Sequence, residues 1–218
     1  ATTNNGYAAD FFNFDRTTGI AWKTCDEGLT TAACTGGAST LGQAAATTTC
    51  AALNTLNSGA GYAGRSDWRL PALQELMQLQ QFDSIVPVDN ALFPNAIAAN
   101  RWSSGLVLPG GANGIVFNGG MSQSAVGTAA RVRCVAGATF PAKQLNNNGD
   151  GTILDRRTGL IWQRCANGQT NDASCSGTPT TAAWGTALNY CKNLNLAGKT
   201  WRLPNIAEFS SLIDLSIT

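Results

Sequence analysis

The stretch SDWRLPALQEL, Ser66 to Leu76, returns nearly letter for letter as KTWRLPNIAEF, Lys199 to Phe209. A chain that repeats itself is built from repeated units, and this constrains its fold before any local propensity does. The correspondence extends upstream: DRTTGIAWKTC (Asp15–Cys25) lies over DRRTGLIWQRC (Asp155–Cys165) at an offset of 140. Cys34 and Cys50 match Cys175 and Cys191 at 141. Trp68 matches Trp201 at 133, because the first copy carries the longer loop NSGAGYAGRSD, and Glu75 matches Glu208. The first copy continues through ALFPNAIAANRWSSG, NGIVFNGG and AARVRCVAG, whereas the second reaches Thr218 ten residues after Glu208. The expected organisation is a complete module over residues 1–139 and a partial one over 140–218, which lacks the counterpart of residues 86–137 and with it the closing strands.

Local pattern assigns the elements. Alternation in GTILDRRTGLIW, broken by Asp-Arg-Arg-Thr-Gly, predicts a β-hairpin with Gly159 at positive φ, and FFNFDRTTGIAW is its counterpart. STLGQAAATTTCAALNTLN has apolar residues at 41, 45, 52, 53 and 56 and reads as an Ala-rich helix bearing Cys50. TAAWGTALNYCKNLN is the same helix in the second copy. Pro71 and Pro204 suit the first position of a short helix after each WRL. Segments around Trp102, Ile115–Phe117 and Val132–Val135 read as strands between Gly-rich turns. The sum is an α+β fold, short helices beside a small antiparallel sheet.

Composition narrows the function. Charged residues are 12% of the chain and the formal net charge is +1, so no strong field draws it to nucleic acid or an anionic membrane. The absence of His removes the commonest general base and zinc ligand, and a Ser-His-Asp triad with them. No catalytic constellation is found, and the chain is expected not to be an enzyme. No apolar run approaches the ~18 residues of a membrane-spanning helix. Seven cysteines without a Cys-x-x-Cys pair suit disulfides, hence an oxidising, extracellular compartment. Cys25–Cys34 and Cys165–Cys175 bracket short loops and are expected to pair. Cys50 and Cys134 remain in the first module, where a bond would close a long loop. Cys191, the twin of Cys50, is left over: the natural chain continues, the thiol is free, or a neighbouring chain completes the module.

NGDGTILDRRTGLIWQRC, ALNYC, WRLPN, LFP, RWSSG and VRCV together resemble the C-terminal domain family of Legionella collagen-like adhesins. The first copy covers that pattern from hairpin to final strand, the second its first half. The resemblance implies a C-type-lectin-like fold with a disulfide from the helix to the last strand, which fits a Cys50–Cys134 pair. It implies a bacterial surface protein that oligomerises and binds sulfated glycans such as glycosaminoglycans. The Glu-Pro-Asn, Gln-Pro-Asp and Trp-Asn-Asp motifs of calcium-dependent lectin sites do not occur, so calcium-bridged sugar binding is not expected.

Arginine contacts sulfate and carboxylate through two parallel hydrogen bonds. Arg131 and Arg133, two apart on one strand, share a face, and with Arg101 they are the candidate ligand contacts. Arg69 and Arg202, inside the repeated WRLP, are expected instead to pin loops through Glu75 and Glu208. NNNGDGT places oxygen side chains at alternate positions, making Asn146, Asn148 and Asp150 the calcium candidates. The twelfth position from Asn146 is Arg157, where an EF-hand needs a bidentate acid, and hairpin turns explain the same letters. No cofactor is expected. Trp22, Trp162, Trp68 and Trp201 recur in both copies and are expected in the core. The reading is an extracellular adhesin for a glycan or matrix component. The alternative is a structural subunit of a surface fibre or homo-oligomer, its second module completed by a neighbouring chain.

Overall fold

The fold comes from a computed structural model, which describes residues 2–3, 6–80, 88–107, 113–117, 121–139 and 144–212. The expected boundary at 139/140 and the end of the second module at Thr218 border or lie outside these residues. The described chain forms two compact units, one up to Thr139 and one from Gln144.

The first unit runs β1 (Thr2–Thr3), β2 (Phe12–Asp15), β3 (Ile20–Lys23), β4 (Thr40–Leu41), α1 (Gln43–Ala52), β5 (Trp68–Arg69), α2 (Leu73–Gln78), β6 (Arg101–Val107), β7 (Asn113–Phe117), β8 (Met121–Ala125), β9 (Ala130–Arg131) and β10 (Val135–Ala136). Its strands make two sheets, in the orders β1-β2-β3-β10-β5 and β4-β9-β6-β7-β8. The second unit holds β11 (Leu145–Asn147), β12 (Thr152–Asp155), β13 (Ile161–Gln163), α3 (Trp184–Asn193) and α4 (Ile206–Ser210), with one sheet in the order β11-β12-β13. Mixed helices and small, mainly antiparallel sheets make this an α+β protein.

The two hairpin turns are built alike. Asp15 accepts from Thr17 N–H and Thr18 Oγ1, Asp155 accepts from Arg157 N–H and Thr158 Oγ1, and Gly19 and Gly159 close the turns at φ 74° and 72°. An Asp that bonds its own turn, followed by Gly in the left-handed region, is the chemistry such a reversal needs. After each hairpin comes a stapled loop. Cys25–Cys34 and Cys165–Cys175 are disulfides, and Cys34 and Cys175 share a positive φ of 53° and 51°. Inside the first of these loops a side chain at Gly28 would meet the Gly37 carbonyl at 2.5 Å, so only glycine fits.

The helices after WRLP start later than expected. Pro71 and Pro204 sit two residues before the first helical residues Leu73 and Ile206. The N-terminal signal is the acid three residues after each cap. Glu75 accepts from Ala72 N–H at 2.7 Å, and Glu208 and Asn205 exchange reciprocal bonds at 2.9 and 2.8 Å, a full capping box.

Position in the sheet explains why the first unit has a deep core. β10 is late in sequence but central in space, with Val135 opposite Trp22 of β3 and Arg69 of β5. On one side of this sheet Cys50, Trp68, Trp102, Val132 and Cys134 pack together, and on the other Ile20, Trp22, Leu73, Leu76, Phe93 and Val135. The Cys50–Cys134 disulfide ties α1 to the segment leading into β10 across a separation of 84 residues.

Loop length ranks the disulfides. The loop-closure relation gives about 4–5 kcal/mol for Cys50–Cys134 and about 3 kcal/mol for Cys25–Cys34. C50A/C134A is therefore expected to lower the urea midpoint of the first unit more than C25A/C34A does, as read by tryptophan fluorescence.

Candidate functional site

The three arginines picked as ligand contacts do come together, but on a carboxylate inside the first unit. Arg101 donates from Nε and Nη2 to the two oxygens of Asp26 at 3.0 and 2.8 Å. Arg133 donates from Nε to Asp26 at 3.0 Å and from Nη1 to the Thr24 carbonyl at 2.6 Å, with its guanidinium 4.6 Å from the Phe93 ring centroid. Arg131 reaches the same carboxylate at 3.3 Å. Arg101 and Arg133 are 3% and 1% exposed and Asp26 is 0% exposed. Buried guanidinium groups with their donors spent on Asp26 and backbone carbonyls offer nothing to a ligand arriving from water; of the three, only Arg131 is partly accessible. Burial pushes the Asp26 carboxyl up, but Arg133, Arg101 and Arg131 outweigh it and hold the pKa at about 2.

Asp26 is the residue the sequence reading missed. The strand expected over Val132–Val135 forms only from Val135, and residues 132–134 link β9 to β10. The signal for the acid was available: two arginines alternating with Val132 and Cys134, which are core residues, need a buried acid, and acids are scarce in this chain.

The WRLP arginines serve the loop-pinning role expected of them. Arg69 forks onto Glu75 at 2.7 and 2.6 Å, and Arg202 forks onto Glu208 in the same way. Arg69 continues to the Gly137 and Ala138 carbonyls at 3.2 and 3.0 Å, beyond β10. In the Asn146–Thr152 loop the side chains bond one another. Asn146 donates to Asn148 at 3.3 Å, Asn148 donates to Thr152 Oγ1 at 2.8 Å, and Asp150 accepts from Thr152 Oγ1 at 2.6 Å. That is the chemistry of a turn.

The second unit carries an open apolar groove. A groove of about 690 Å³ is lined by Ile161, Trp162, Tyr190, Cys191, Trp201 and Phe209, among others. Ile161, Trp162, Cys191, Trp201 and Phe209 are the twins of Ala21, Trp22, Cys50, Trp68 and Leu76, all buried in the first unit. Leu73 and Leu76 are 2% and 1% exposed, while their equivalents Ile206 and Phe209 are 56% and 55% exposed. Trp201 and Arg202 have the sequence of β5 without forming a strand, because β5 exists by pairing with β10. The Trp162 Nε1 donor is buried without a partner, and Cys191 is a free thiol whose pKa is raised by burial.

A family model described as the Lcl C-terminal domain matches residues 13–136 and again residues 151–218. No curated protein and no solved structure matches the chain.

Removing the carboxylate tests the ion cluster. D26N leaves buried guanidinium groups uncompensated and is expected to cost about 3–5 kcal/mol. The Asp26 pKa is lowered on folding, so its contribution is full above about pH 4, near the unfolded value, and is lost as pH falls towards about 2. Urea midpoints of the first unit should show this acid loss in the native chain and less of it in D26N.

Proposed function

Because the chain belongs to the Lcl C-terminal domain family over most of its length, we propose that it is an extracellular bacterial surface protein of tandem C-type-lectin-like modules, acting as an adhesin for an anionic glycan or matrix component. The observation that carries this reading is the family match itself, found once in each unit. Three disulfides support it, since such bonds persist in oxidising compartments outside the cytosol. The described helices include none long and apolar enough to cross a membrane. The reading is of a binding protein rather than an enzyme, and it invokes no cofactor.

With Arg101 and Arg133 spent on Asp26, the contact moves elsewhere. Arg16 and Arg156 occupy the same place in the two hairpin turns, directly after the capping Asp, and both are exposed. A cation presented at an equivalent point of each module suits a polymer of repeating anions, where two weak contacts on one chain act together.

A second reading, the structural subunit of a fibre or homo-oligomer, is favoured by one observation. The groove of the second unit exposes the residues that the first unit covers with a strand, and an open sheet edge is a place where another chain can add one.

On a column bearing a sulfated polysaccharide, the chain should be retained at low ionic strength and released as salt rises. R16A/R156A should elute at lower salt, at unchanged stability because both side chains are exposed. Passage through the column at low salt would remove the anionic-glycan part of the proposal.

A further inference from the structure

The second unit holds one half of an interaction whose other half is visible in the first. There, β10 pairs with β3, and the residue before it, Cys134, extends that contact. Lys23 N–H donates to the Cys134 carbonyl at 3.0 Å, Val135 stands opposite Trp22 and Arg69, and Cys134 is bonded to Cys50 of α1. The receiving residues recur as Gln163, Trp162, Arg202 and Cys191. β13 ends its sheet, pairing only with β12 among the described strands. Cys191 and Trp162 line the groove beside it, and the buried Trp162 Nε1 has no partner. The other six cysteines are all in disulfides, so a cysteine that meets Cys191 comes from outside these pairs.

Several positions around Arg133 differ, and the loss of the acid determines what fits. The counterpart of Asp26, the acid that neutralises Arg133, is Ala166, and the counterpart of Thr24 is Arg164. A strand with arginine before its cysteine would bury a cation with no carboxylate in Asp26's place. Resting on the reading of the second unit as an open module, we propose that its groove binds a β-strand antiparallel to β13, carrying a cysteine that pairs with Cys191 and an uncharged residue immediately before that cysteine. The Ala130–Gly137 segment of a second copy, which carries Arg133 before Cys134, is thereby excluded as the natural occupant. The charge difference keeps copies of the chain from exchanging their first-module strands into second-module grooves.

The bond forms by thiol–disulfide exchange. The Cys191 thiolate attacks the strand cysteine's sulfur while that cysteine is held in a disulfide with a small thiol such as glutathione. The Cys191–strand S–S bond forms, the strand–glutathione S–S bond breaks, and glutathione leaves as its thiolate. Burial raises the thiol pKa of Cys191, which slows exchange with small disulfides that nothing holds in place.

The test uses the intact chain and two peptides, each as its glutathione mixed disulfide: residues Ala130–Gly137, and the same peptide carrying Arg133→Thr. Coupling at Cys191 is followed by intact mass and peptide mapping, with oxidised glutathione as the baseline. The Arg133→Thr peptide should couple at least ~10-fold faster than the native sequence, since an unpaired buried charge costs more than that ratio requires. In the chain variant Ala166→Asp, whose substituted side chain is exposed in the open groove, the native-sequence peptide should recover most of the difference. If neither peptide outruns oxidised glutathione, the groove is not a strand receptor, and the open-module reading falls with the proposal. If both outrun it equally, the receptor stands and the selection by charge is overturned.

Discussion

The interior of the first unit is organised around the negative charge of Asp26. Three arginines arrive at it from two distant parts of the chain, Arg101 from β6 and Arg131 and Arg133 from the segment before β10. Burying such a group is unfavourable unless every charge is paired and every donor used. Its value lies in specification. Only one register of the last strand places Arg133 on Asp26 while Cys134 meets Cys50 and Val135 meets Trp22, so the ion cluster, the disulfide and the sheet all select the same arrangement. The sheet orders depend on that agreement, because β10 joins β3 to β5.

The same residues show why the two units differ although their sequences match. Hairpin, stapled loop, helix and the Arg–Glu fork depend on contacts within some ten residues of one another, and all of them form in both units. Depth of core, burial of the residues after WRLP and the existence of β5 depend on a strand much further along, and among the described residues these appear in the first unit alone. The halves of the fold are therefore of two kinds, one specified locally and one specified by long-range closure.

This division also sets what could be read from the sequence. The repeat, the hairpins with Gly19 and Gly159, the helices bearing Cys50 and Cys191, and the role of Arg69 and Arg202 were legible because each rests on local chemistry or on comparison of the copies. The helices start two residues after Pro71 and Pro204 because the caps are set by Glu75 and Glu208 rather than by the prolines. The arginine site was misread for a different reason. Alternation along a strand places Arg131 and Arg133 on one face but does not say whether that face meets water, and Asp26 is over a hundred residues away from Arg133. The groove could not be seen in either copy alone, since exposure of Ile206 and Phe209 is the consequence of an uncovered surface rather than of their identity.

The central position of β10 has a consequence in time. A chain made from its N-terminus on the ribosome completes α1 and WRLP of the first module long before Cys134 is synthesised, 84 residues after Cys50. Leaving the cytosol N-terminus first, the chain brings the short Cys25–Cys34 loop and Cys50 into an oxidising compartment before Cys134. Cys25 and Cys34, only 9 residues apart, can be closed on each other early, which leaves Cys50 with few wrong partners while it waits. Closure of the first module thus waits on a residue made late, whereas the local disulfide does not.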